Sequence, residues 1–200
     1  MRQFVSYEEE NIHYWTHRAP GYSGVNQEEL ATDQKRVWGR AIGERIAARF
    51  PGRGPESIRV LVTRNVTWNL PNPEKAYGHW TRVLAHGGLL LNFDANWYRY
   101  LWDEKASLGH KQDRENLAVS DVRDENAGTD VDAMEAIARQ TPLSRQQRPQ
   151  WDLSVLAGLG IHANADEHIW QRVWTREERI NNSSTPMFLV EGWKPRLLEN

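Results

Sequence analysis

Residues 58–97, IRVLVTRNVTWNLPNPEKAYGHWTRVLAHGGLLLNFDANW, constrain the fold more than any other stretch, because they join two apolar runs through a helical one. The first run, Ile58-Arg59-Val60-Leu61-Val62, is β-branched and free of turn residues, the composition of a buried strand. Leu70-Pro71-Asn72-Pro73 forbids a continuing strand, and Pro73 suits the first position of a helix. Ala76, Tyr77, Trp80, Val83 and Leu84 then form one apolar stripe, with Glu74, Lys75, His79 and Arg82 off it, until Gly87-Gly88 stops the helix. Leu89-Leu90-Leu91-Asn92-Phe93-Asp94 is the second strand. Strands apolar on both faces belong in a parallel sheet clad by helices on either side. Ligands of such sheets bind beyond the carboxyl ends of the strands, here residues 63–68 and 94–98.

The rest of the chain reads as cladding for a single domain over 1–200, with N-terminal helices in 1–57 and the strand-helix-strand unit in 58–97. The pattern predicts helices over 7–19, broken by Pro20-Gly21, and over 27–50. Residues 98–150 are polar and read as an inserted lid with one helix, over 131–140; the mixed-charge run 121–132 is read as solvent-facing. The C-terminal part, 151–200, predicts a helix over 151–159, a short strand over 161–165, an amphipathic segment over 169–179 and a last strand over 185–191.

Composition narrows the function classes. The formal charge of −2 with interspersed signs gives no electrostatic case for nucleic acid. The absence of cysteine excludes disulfides, thiolate metal sites and cysteine nucleophiles. No apolar run is long enough to span a bilayer, and the first residues lack the apolar core of a secretory signal, so no membrane partner and a cytoplasmic location are the expectation. His13 and His17 stand four apart, but no third ligand follows at a telling spacing, and no metal site is expected. Ten tryptophans are read mainly as core.

Four blocks resemble a known family. They are Tyr14-Trp15-x-x-Arg18-Ala19-x-x-Tyr22, Arg64-Asn65-Val66-Thr67-Trp68-Asn69-Leu70-Pro71, Trp80-x-Arg82-Val83-Leu84-x-x-Gly87-Gly88 leading to Leu91-x-Phe93-Asp94, and Thr185-Pro186-Met187-Phe188-Leu189-Val190. In these the chain is similar to class I S-adenosylmethionine-dependent methyltransferases of the small-molecule type. The resemblance implies an α/β fold of truncated Rossmann-like form, with a mostly parallel sheet, helices on both faces and an inserted helical or loop lobe. It implies S-adenosylmethionine as cofactor, held by Tyr14, Trp15, Arg18, Tyr22, Arg64, Asn65, Val66 and Trp68, with Arg18 near the cofactor carboxylate. Asp94, Asn96, Trp97 and Tyr98 would form the wall for a small-molecule acceptor.

The chain departs from the family between Leu61 and Val62. There the resemblance implies an acidic, glycine-rich cofactor loop and its strand-helix units, whereas Leu61 runs directly into Val62-Thr63-Arg64-Asn65. The resemblance then implies that two neighbouring strands are fused into one hybrid, 58–65, with half the family's sheet missing and an apolar edge left behind. Two readings follow: a small-molecule methyltransferase with impaired cofactor binding, or a non-catalytic remnant that acts as a binding or dimerisation module, with a homodimer covering the edge. No catalytic residue is singled out, since methyl transfer needs alignment above all; Asp94 could serve as a base or orient backbone amides.

Overall fold

The computed structural model describes residues 6–196, except for the side chain of Tyr22. Its centre is a four-stranded sheet in the order β1-β2-β4-β3, made of β1 (Val60–Arg64), β2 (Leu89–Asp94), β3 (His162–Asp166) and β4 (Phe188–Trp193). β1 and β2 pair in parallel, joined by helix α3 (Pro73–Val83), as the sequence predicts. The expectation of a mostly parallel sheet needs correction. Three strands share one direction, but β4 enters antiparallel between β2 and β3, so two of the three neighbouring pairs are antiparallel. The cause is the connection: after β3 the chain runs through α7 (Trp170–Val173) and α8 (Arg176–Asn181) and re-enters the sheet at the edge it had just left.

Side chains of β2 alternate between two cores. Leu89, Leu91 and Phe93 pack with Trp38, Ala41 and Phe50 beneath helix α2 (Gln34–Arg49) and with Ile169 and Val173. Leu90 faces Tyr77, Leu84, Leu156 and Val190 under α3 and α6 (Gln150–Gly158). Every residue of β2 is buried, which explains the nearly unbroken apolar run.

Helix boundaries elsewhere differ from expectation. α1 (Tyr7–Ala31) runs straight through Pro20 and stops at Thr32, so the two helices predicted over 7–19 and 27–50 divide twelve residues later than the proline suggests. Proline removes one hydrogen bond and crowds the preceding turn, but tertiary anchors hold both ends of α1: Asn11 Nδ2 donates to the carbonyl of Asn69, and Glu29 takes a forked pair from Arg64. The lid holds α4 (Glu104–Ala118) as well as the expected α5 (Val131–Ala138). Among the described residues no helix is long and apolar enough to cross a membrane.

Candidate functional site at the carboxyl edge

The carboxyl ends of β1 and β2 meet as the topology requires, and both following turns contain a left-handed non-glycine residue, Asn65 at φ 54° and Tyr98 at φ 65°. Asparagine tolerates this region and tyrosine does so at a cost. Between the two tips lies an aromatic cluster. Trp68 packs edge-on to Trp15 at 6.2 Å and beside Tyr98 at 5.3 Å, and Tyr14, Trp97, Met134 and Ile137 complete the group. Thus Tyr14 and Trp15 from α1, Trp68 from the 3₁₀ turn Thr67–Asn69, and Trp97 and Tyr98 after β2 converge, sealed by α5. Trp15, Trp68 and Tyr98 thus pack on one another across the carboxyl ends of β1 and β2.

The remaining candidates divide. Arg18 is half-buried, and its Nε is enclosed without a hydrogen bond. The side chain of Tyr22 lies outside what the structure describes. Arg64 is committed away from the crevice: its two terminal nitrogens donate to Glu29 at 2.6 and 2.8 Å, and its guanidinium lies 4.5 Å from the ring centroid of Trp38. Val66 is 41% exposed. Asn65 has its Oδ1 enclosed and unbonded, so the backbone conformation accounts for the residue better than its amide does.

Asp94 and Asn96 belong to a buried polar network. Asp94 is fully buried and accepts from the backbone N–H of Trp68 at 2.9 Å, the N–H of Ala95 at 3.0 Å and the Arg148 guanidinium at 2.8 Å. Arg148 donates twice more to Asp152, which also accepts from the Tyr77 hydroxyl at 2.6 Å. Asn92 Nδ2 donates to Tyr77, and its Oδ1 accepts from Thr63 and Thr67. Asn96 exchanges two hydrogen bonds with the backbone of Arg148.

Burial pushes the Asp94 carboxyl above the usual range, against the pull of Arg148, and burial with Asp152 raises the Tyr77 phenol well above its own. A carboxylate holding three donors in the interior orients the backbone around it. Of the two roles weighed for Asp94, the geometry supports amide orientation.

Sequence reasoning missed Arg148, Asp152 and Tyr77 as one unit. A signal existed: Asn92 and Asp94 stand within a strand otherwise made of leucine and phenylalanine, and buried polar groups require partners.

The described residues do not fit S-adenosylmethionine at this edge. The turns 65–69 and 95–98 contain no glycine to let a backbone approach a ligand. The carboxylates that close β2 and β3, Asp94 and Asp166, are bound to Arg148 and Arg45 rather than open to ribose hydroxyls. One cavity of about 300 Å³ lies between the start of α3 and residues 142–151, and another of about 540 Å³ opens at the opposite edge of the sheet. Comparison of the chain with known protein families, with curated proteins and with solved structures found no match.

Proposed function

We propose that this chain is a methyltransferase-like α/β module that acts by binding or by pairing with a second copy, not by methyl transfer. The observation that carries the reading is the interlocked set Trp15, Trp68 and Tyr98, which occupies the crevice where the cofactor would lie. Isothermal titration of the full chain with S-adenosylmethionine is the test. No measurable heat is expected, and micromolar or tighter affinity overturns the proposal.

The pairing surface is the free edge of β1. Leu89 N donates to Arg59 O and Asn65 N to Phe93 O, so odd-numbered residues of β1 bond to β2 and the backbone groups of Val60, Val62 and Arg64 point outward. α1 meets the carboxyl end of this strand through Glu29 and Arg64, and Val62 is left 43% exposed. An antiparallel pair of β1 strands about a two-fold at Val62 sets Arg64 opposite the second copy's Val60 and places no like charges face to face. Light scattering should give a dimer; a compact monomer counts against this pairing.

One observation favours the other reading, an S-adenosylmethionine-dependent methyltransferase acting on a small molecule. The enclosed, unbonded Nε of Arg18 is suited to a carboxylate such as the cofactor's. The same titration decides between the two.

A further inference from the structure

At the amino edge of the parallel strands the cavity of about 540 Å³ opens between the end of α3 and the turn from α6 into β3. Leu159 and Ile161 make its lining largely apolar, while Arg82, His86, Lys194 and Arg196 stand around it, and no carboxylate lines it. Among the described residues, neither arginine nor the lysine has a carboxylate within ion-pair distance.

Helix C-termini attract cations, and Lys194 satisfies that need here: its Nζ donates to the carbonyls of Thr81 at 3.0 Å and Leu84 at 3.1 Å, closing α3. Closing α3 therefore does not require Arg82 or Arg196. These two and His86 are nevertheless brought together by defined geometry. Gly87 N donates to Lys194 O and Lys194 N to Gly88 O, which extends the β2–β4 ladder beyond its strands and carries residues 194–196 to the cavity. His86 Nδ1 lies 2.9 Å from the carbonyl oxygen of Pro195; a carbonyl only accepts, so Nδ1 bears the proton and the ring is fixed against the same segment. Gly87 adopts φ +76°, and a Cβ there would meet the Arg196 side chain at 3.2 Å, so glycine lets that arginine lie across the turn.

We infer that this cavity binds a phosphate monoester carried on a small apolar group. Two guanidinium groups match the oxygens of a phosphate as forked donors, and the apolar lining takes the organic body. This site lies on the opposite edge from the aromatic cluster and does not depend on the reading given for it. Phosphate monoesters reach a protein either as soluble metabolites or as lipid head groups, and the same chemistry recognises both.

The test is titration of the full chain with phenyl phosphate, followed by ¹H–¹⁵N NMR at the amides of Gly87, Gly88 and Gly160. Saturable shifts confined to these amides are expected, with inorganic phosphate binding more weakly. Arg82→Glu combined with Arg196→Glu, both exposed, should keep the spectrum of the folded chain and weaken phenyl phosphate by about tenfold or more. No shift at millimolar phenyl phosphate, or equal affinity in the double variant, overturns the inference. Co-sedimentation with phosphatidylcholine vesicles, with and without phosphatidic acid, identifies the source: retention by the acidic vesicles alone supports a lipid head group, and no retention supports a soluble ester.

Discussion

Arg148 and Asp94 meet at 2.8 Å in the protein interior, where neither side chain is more than 1% exposed. The pair joins two parts of the chain that sequence order separates: the end of β2 and the connector that leads into α6. A buried pair of this kind offsets its desolvation only when its remaining hydrogen bonds are made; here Asp152, Trp68 and Ala95 complete them.

Removing the cation should therefore be costly. Arg148→Met leaves Asp94 and Asp152 buried without their counter-charge, and a loss of about 3–5 kcal/mol is expected in urea unfolding. Adding Asp94→Asn and Asp152→Asn to that variant should recover part of the loss. A triple variant no more stable than Arg148→Met would show that the methionine is misplaced sterically and that charge is not the cause.

Asn65 supplies a second test. Its φ of 54° is left-handed and its Oδ1 makes no hydrogen bond, so the backbone should be what the residue serves. Asn65→Gly should leave the melting temperature nearly unchanged, whereas Asn65→Ala should cost about 1 kcal/mol. A large loss in the glycine variant would assign the amide a role that the geometry does not.

His110 governs a pH effect in the lid. It stacks on Tyr100 at 3.8 Å with the ring planes nearly parallel, and burial, followed by Arg114, holds its pKa below the ordinary 6.5 while Asp113 and Glu135 oppose. A histidine with a depressed folded pKa contributes stability that is complete above the unfolded value and is lost as pH falls through the folded one. His110→Phe keeps a ring against Tyr100 and removes the titration. Its urea midpoint should vary less than that of the parent below about pH 6.5; parallel curves would take His110 out of the account.

The parts legible in the sequence are those where one strong period or one stop signal decides. Pro73 and the stripe through Tyr77 and Trp80 place the start and face of α3, and Gly87-Gly88 the start of β2, whereas α3 itself ends at Val83, four residues before the glycine expected to stop it. α4 escaped notice because its only buried residues are Asp113 and Leu117, too few to make a stripe; its start is set by the Asp103 carboxylate accepting from Ala106 N. α1 crosses Pro20 because distant anchors outweigh a local preference, and no window around the proline contains Asn69 or Arg64. At the carboxyl edge, the aromatic members were legible from the motifs. The partners of Asp94 were not, since Arg148 comes 54 residues later in a segment that reads only as a connector.

The two polar residues of β2 bear on more than local satisfaction. Along that strand Leu89, Leu91 and Phe93 face α2, while Leu90, Asn92 and Asp94 face α3 and α6. With every position buried, apolar contact alone would distinguish poorly between this alignment and one shifted by a single residue. A shift would carry Asn92 and Asp94 to the side of Trp38 and Phe50 and strand Tyr77, Asp152 and Arg148 on the other. The network therefore works as a key that only one alignment of β2 can turn, so an otherwise interchangeable apolar strand has a single place in the sheet.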